Sequence, residues 1–97
     1  MNLKYSQRKK LKSLAHDLRP VIQVGKKGLT DELASAVDKA LLDHELIKMK
    51  FVGFKEEKRD IIGAVAESTG CTVVEIIGHV AILYRPHPDE EKRRIVV

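Results

Sequence analysis

Residues 20–33 read PVIQVGKKGLTDEL, and the way they fold decides the rest of the chain. PVIQV is β-branched and nearly continuous in apolarity, the pattern of a short buried strand. Gly25-Lys26-Lys27-Gly28 breaks it with a tight turn. Thr30 is a good N-cap, and Asp31 and Glu32 put negative charge in the first turn of the following helix, where the backbone dipole favours it. Leu33, Ala36, Val37, Ala40 and Leu41 give that helix a buried face to about His44. Strand, glycine-framed turn and capped helix in immediate succession begin a strand–helix–strand unit, which calls for a sheet with a right-handed crossover. Two lysines stand at the tip of the turn, either as solubilising charges or as a clamp for an anion.

Upstream, Ser6 can cap a first helix running to about Leu18. Leu11, Leu14, Ala15 and Leu18 recur at helical spacing as one apolar stripe, with Arg8, Lys9 and Lys12 on the other side as a basic ridge. Arg19-Pro20 ends it, because a residue before proline disfavours helical angles. Downstream, ELIKMKFV alternates: Ile47, Met49 and Phe51 point one way, Lys48 and Lys50 the other. A third helix is expected from about Lys55 to Thr69, stopped by Gly70. CTVVEII and VAILYR are two strands joined through Gly78-His79 as a hairpin. The expectation is an α/β fold, a compact α-β-α-β-α-β-β domain with a four-stranded mixed sheet over residues 1–86. Residues 87–97 form a polar, proline-punctuated tail, loosely held unless Ile95-Val96-Val97 docks.

The 97 residues suit a single domain, and 43% hydrophobic with 33% charged residues suits a globular one. No apolar run approaches the roughly 20 residues of a membrane span. The basic N-terminus has no apolar stretch behind it, as a secretory signal would. A cytoplasmic protein is the expectation. Charge is unevenly spread. The first 28 residues hold eight Lys/Arg and one acid, a net of +7, and the other 69 hold ten basic and thirteen acidic side chains, a net of −3. A basic end on a nearly neutral body suits an anionic partner, nucleic acid first, although a solvated basic face has the same composition.

Candidate chemistry is sparse. His16, His44, His79 and His87 lie in different elements, none with a second ligand at metal-binding spacing. Cys71 reads as a small buried hydrophobe. No nucleophile–base–orienter set emerges, so the chain is expected to be neither an enzyme nor a holder of a cofactor or metal. GKKGLT fails the phosphate-binding loop of nucleotide hydrolases, which needs four residues between its glycines and Lys-Ser/Thr after the second. What remains is G-x-x-G at a helix start. Glycines let backbone approach a phosphate closely, free N–H groups point outward, and the two lysines add charge. Gly25, Lys26, Lys27, Gly28 and Thr30 are therefore candidate contacts for an anion such as a nucleic-acid phosphate, with Arg8, Lys9 and Lys12 on the first helix. Lys48 and Lys50 join them if their sheet face is open. Four aromatic residues are too few for a base-stacking platform, so phosphate contact and shape are the expected mode.

LAHDLRPVIQVGKKGLTDEL, HELIKMK and VVEIIGHVAILYRP together resemble the CRM domain, shared by single-domain bacterial YhbY proteins and plant organellar splicing factors. The resemblance covers about Leu3 to Pro86. It implies a fold similar to the C-terminal domain of translation initiation factor three, RNA binding, and association of a stand-alone copy with precursors of the large ribosomal subunit. The family's G-x-x-G loop falls on Gly25–Gly28. Lys27 stands where the bacterial pattern often has a polar residue such as Asn, which adds positive charge. A monomer is expected. The alternative is an adaptor whose basic surface meets an acidic protein.

Overall fold

A computed structural model describes residues 2–53 and 56–97. Among them the chain forms α1 (Tyr5–Ala15), β1 (Ile22–Val24), α2 (Asp31–His44), β2 (Leu46–Phe51), α3 (Lys58–Thr69), β3 (Thr72–Ile77) and β4 (Val80–Tyr84), with one 3₁₀ turn at Glu90–Lys92. The expected element order holds. Lys55, the expected start of the third helix, lies outside the described residues.

The four strands make one mixed sheet in the order β1-β2-β4-β3. β1 runs parallel to β2, as the intervening α2 requires, and β2–β4 and β4–β3 are antiparallel. β4 takes a central place because it is apolar on both faces. Ala81 and Leu83 pack with α2 and α3, and Ile82 and Tyr84 with α1. The sheet is thus covered on both sides. One side buries Val24, Val37, Leu41, Met49, Phe51 and Val65, and the other buries Leu11, Ala15, Leu46 and Val74.

Helix ends follow local chemistry. Thr30 Oγ1 accepts the Leu33 N–H at 3.1 Å, the expected cap of α2. Gly70 ends α3 in the left-handed conformation (φ 73°). The first helix departs from expectation at both ends. Its N-cap is Lys4, not Ser6, and the Lys4 N–H donates to the Gln7 side chain at 2.9 Å. Its regular part stops at Ala15, three residues before Leu18, where tighter turns take over: His16 N–H donates to Ser13 and Leu18 N–H to Ala15. Leu14, within the helix, and Leu18, beyond it, stay exposed, and the buried stripe reduces to Leu11 and Ala15.

The tail docks. Ile95 packs against the α1-side core. Glu45 is 2% exposed as a residue, and its carboxylate accepts backbone N–H groups of His87 (3.0 Å), Arg94 (2.7 Å) and Ile95 (3.2 Å). The Glu45 carbonyl accepts the Arg85 N–H at 2.9 Å. Glu45 joins α2 to β2 with φ 64°, a strained angle for a residue with a side chain.

Candidate nucleic-acid interface

The G-x-x-G segment is a closed turn. Gly28 N–H donates to the Gly25 carbonyl at 3.1 Å, which leaves Lys26 and Lys27 at the two central positions, both exposed. Gly28 has φ 66°, and a Cβ there would sit 3.3 Å from Ile61 Cδ1 of α3. Its glycine is therefore demanded by backbone angle, and an added side chain would also need the Ile61 side chain to give by a few tenths of an ångström. A Cβ on Gly25 would meet nothing within 4 Å. That open side faces outward and leaves backbone within reach of a ligand.

Topology gathers further groups at this end of the sheet. β1 and β2 both terminate here, the Ile61 side chain brings in the start of α3, and Phe51 N–H bonds the His79 carbonyl of the β3–β4 turn. Gln23 is paired in register with Lys50, and both are exposed. A shallow depression beside the turn is lined by Gln23, the four turn residues, Thr30, Glu32 and Leu33. Glu32 and its neighbour Asp31 are exposed in the first turn of α2. They oppose the attraction of the helix dipole for an anion, so Lys26 and Lys27 must supply the positive charge.

The other nominated cations divide into free and tethered. Lys9 is exposed on α1, and Lys50 is exposed on β2. Neither it nor Lys26 nor Lys27 has an ion pair among the described residues. Arg8 is half-buried, and its guanidinium donates to the carbonyls of Val73 (2.9 Å) and Val74 (2.6 Å), where the β3–β4 register shifts. Lys12 pairs with Glu75 at 2.6 Å, and the ammonium holds that carboxyl below the ordinary glutamate range. Lys48 Nζ donates to the His16 carbonyl at 3.2 Å and so caps the end of α1. The face of β2 carrying Lys48 and Lys50 is the α1 side, covered at Lys48 and open at Lys50.

Sequence reasoning passed over Gln23, which only the β1–β2 register reveals, and His79, exposed in the turn at the same end. It also passed over Glu45. No group of three or more His, Cys, Asp or Glu side chains among the described residues is placed to hold a metal. Cys71 is buried, and desolvation pushes its thiol pKa up, away from nucleophilic character.

Comparison with known proteins decides the family. The CRS1 / YhbY (CRM) domain matches residues 3–85. The chain belongs to the CRM domain family. A Haemophilus influenzae relative named RNA-binding protein is 44% identical over 85 residues, spanning 87% of this chain and 86% of that one. A Pseudomonas aeruginosa relative, named a probable RNA-binding protein, is 34% identical over 93 residues, or 95% and 89% of the two chains. The solution structure of a Staphylococcus aureus protein superposes with a TM-score of 0.78 at 27% identity, over 98% of this chain and all of that one.

Proposed function

We propose that this CRM domain binds structured RNA and acts in the cytoplasm as a monomeric assembly factor on precursors of the large ribosomal subunit, with no reaction of its own. The observation that carries the reading is the Gly25–Gly28 turn. It is closed by its own hydrogen bond, open on the Gly25 side, and topped by two exposed lysines without ion pairs among the described residues. Such a turn admits a sugar–phosphate backbone to main-chain contact while the lysines neutralise phosphates, and it needs no aromatic platform. Lys50 and Gln23 continue that surface along the sheet, and Lys9 adds charge on α1. Arg8, Lys12 and Lys48 act behind it, holding α1 to the sheet so that the exposed cations keep their places. The names of the relatives support RNA as the ligand class.

Crosslinking in cells, followed by sequencing of the attached RNA, tests the reading. Fragments of large-subunit ribosomal RNA precursors are expected. Recovery of messenger or intron fragments in their place would overturn the assembly role, and recovery of no RNA would overturn the ligand.

A further inference from the structure

A second concave surface lies at the opposite end of the sheet from the lysine turn. Leu14 near the end of α1 is 46% exposed, Leu18 beyond it is 39% exposed, and Val21, just ahead of β1, is 53% exposed. These three and Ile95 of the docked tail line a cleft of about 460 Å³, with Arg19 and Arg94 also in its wall. None of its lining residues is acidic, and His44 is the one aromatic ring among them. The Arg19 and Arg94 side chains have no ion pair or side-chain hydrogen bond among the described residues. Six residues of β2 separate this end from the other, a distance of about 20 Å at the rise of an extended strand.

We infer that this cleft is a docking site for a peptide segment of a partner protein that carries aliphatic side chains flanked by acids. Exposed aliphatic residues in a concavity recover the free energy lost to water only when other aliphatic groups fill it. Two arginines without carboxylate partners fix the sign of the occupant's flanks, because guanidinium favours paired, bidentate contact with carboxylates. RNA would also satisfy the arginines. Its bases, however, stack on platforms of several aromatic rings, where this lining has the single imidazole of His44, and its polar backbone would bury the leucines against nothing apolar. The wall formed by Arg94 and Ile95 is positioned by the Glu45 carboxylate through the two backbone N–H groups of those residues. The site is separate from the lysine turn, so a bound partner and bound RNA need not compete.

The test is selection of a displayed library of random twelve-residue peptides on the immobilised full chain. Counter-selection uses the Leu14→Ser/Val21→Ser variant, which changes exposed positions only and leaves net charge unchanged. Enriched peptides are expected to carry at least two aliphatic residues and a net charge of −2 or lower. Synthetic copies should lose at least tenfold in affinity for the Arg19→Glu/Arg94→Glu variant and keep it for Lys26→Ala/Lys27→Ala. No enrichment over the counter-selected chain, or enrichment of neutral or basic peptides, would overturn the proposal. Concentration-dependent self-association of the parent chain that the Leu14→Ser/Val21→Ser change abolishes would also overturn it, by making a second copy the occupant. RNA affinity of the serine variant is read in parallel. A loss as large as that of the lysine variant would assign the cleft to RNA and overturn the proposal while leaving the RNA reading intact.

Discussion

Gly25 and Gly28 frame one turn but answer to different demands. Gly28 is fixed by its positive φ and lies close to the Ile61 side chain, whereas Gly25 has neither constraint. Gly28→Ala should therefore destabilise the domain by about 1–2 kcal/mol, the cost of a side chain in the left-handed region, before any shift of Ile61. Thermal unfolding of the two alanine variants would show it, with Gly25→Ala close to the parent. RNA affinity should fall for Gly25→Ala all the same, since a methyl group there stands between backbone and phosphate. Glu45 is the other residue whose chemistry outweighs its strain. Burial opposes its ionisation, but N–H donors from His87, Arg94 and Ile95 and the nearby His87 side chain prevail and hold its pKa below the ordinary value. A depressed folded pKa means the ionised carboxylate contributes stability above the unfolded value of about 4.3, and that contribution is lost as pH falls through the lower folded value. Glu45→Gln should cost about 1–3 kcal/mol at neutral pH, because its amide turns donor toward donor. Denaturant midpoints followed from pH 7 to 3 should converge for parent and variant. A gap that stays constant with pH would exclude the ionised latch.

At the scale of elements, α1 shows what periodicity conveys and what it omits. Its existence, its buried Leu11 and Ala15, and its basic ridge were all legible at 3.6-residue spacing. Its end was not: the tighter turns after Ala15 carry no periodic signature, and the His16 carbonyl there takes a bond from Lys48, more than 30 residues away. For the same reason the ridge is not uniform. Arg8 satisfies two carbonyls at the irregular edge of β3, and Lys12 engages Glu75. Both partners are distant in sequence. Arg8→Met should cost about 1.5–3 kcal/mol of stability, the worth of charge-assisted hydrogen bonds from a half-buried group. It should alter the salt dependence of RNA binding little. The reverse pattern, intact stability with a shallower salt slope, would move Arg8 to the RNA surface. β2 and the Thr30 cap, by contrast, were readable directly, since alternation and capping are local.

For the whole molecule, order and class of elements followed from sequence, and the mixed sheet with them. Placement of the ends did not. The register that sets Lys50 beside Gln23, and the route that returns the tail to α2 and β2, are long-range facts with no local signature. The tail belongs to the packed body. Truncation after Pro86 should lower the unfolding midpoint by several degrees, because it strips Glu45 of three donors and uncovers the surface under Ile95. Circular dichroism melts of the shortened chain would measure it. The resulting molecule has a cationic turn at one end of its sheet and an apolar, arginine-lined cleft at the other. The proposed function rests on the turn. The most direct test is a salt titration of binding to a structured fragment of large-subunit ribosomal RNA, comparing the parent with Lys26→Ala/Lys27→Ala at matched unfolding midpoints. The lysine clamp predicts weaker binding and a log–log salt slope shallower by about one to two units. An unchanged slope in a fully folded variant would contradict it.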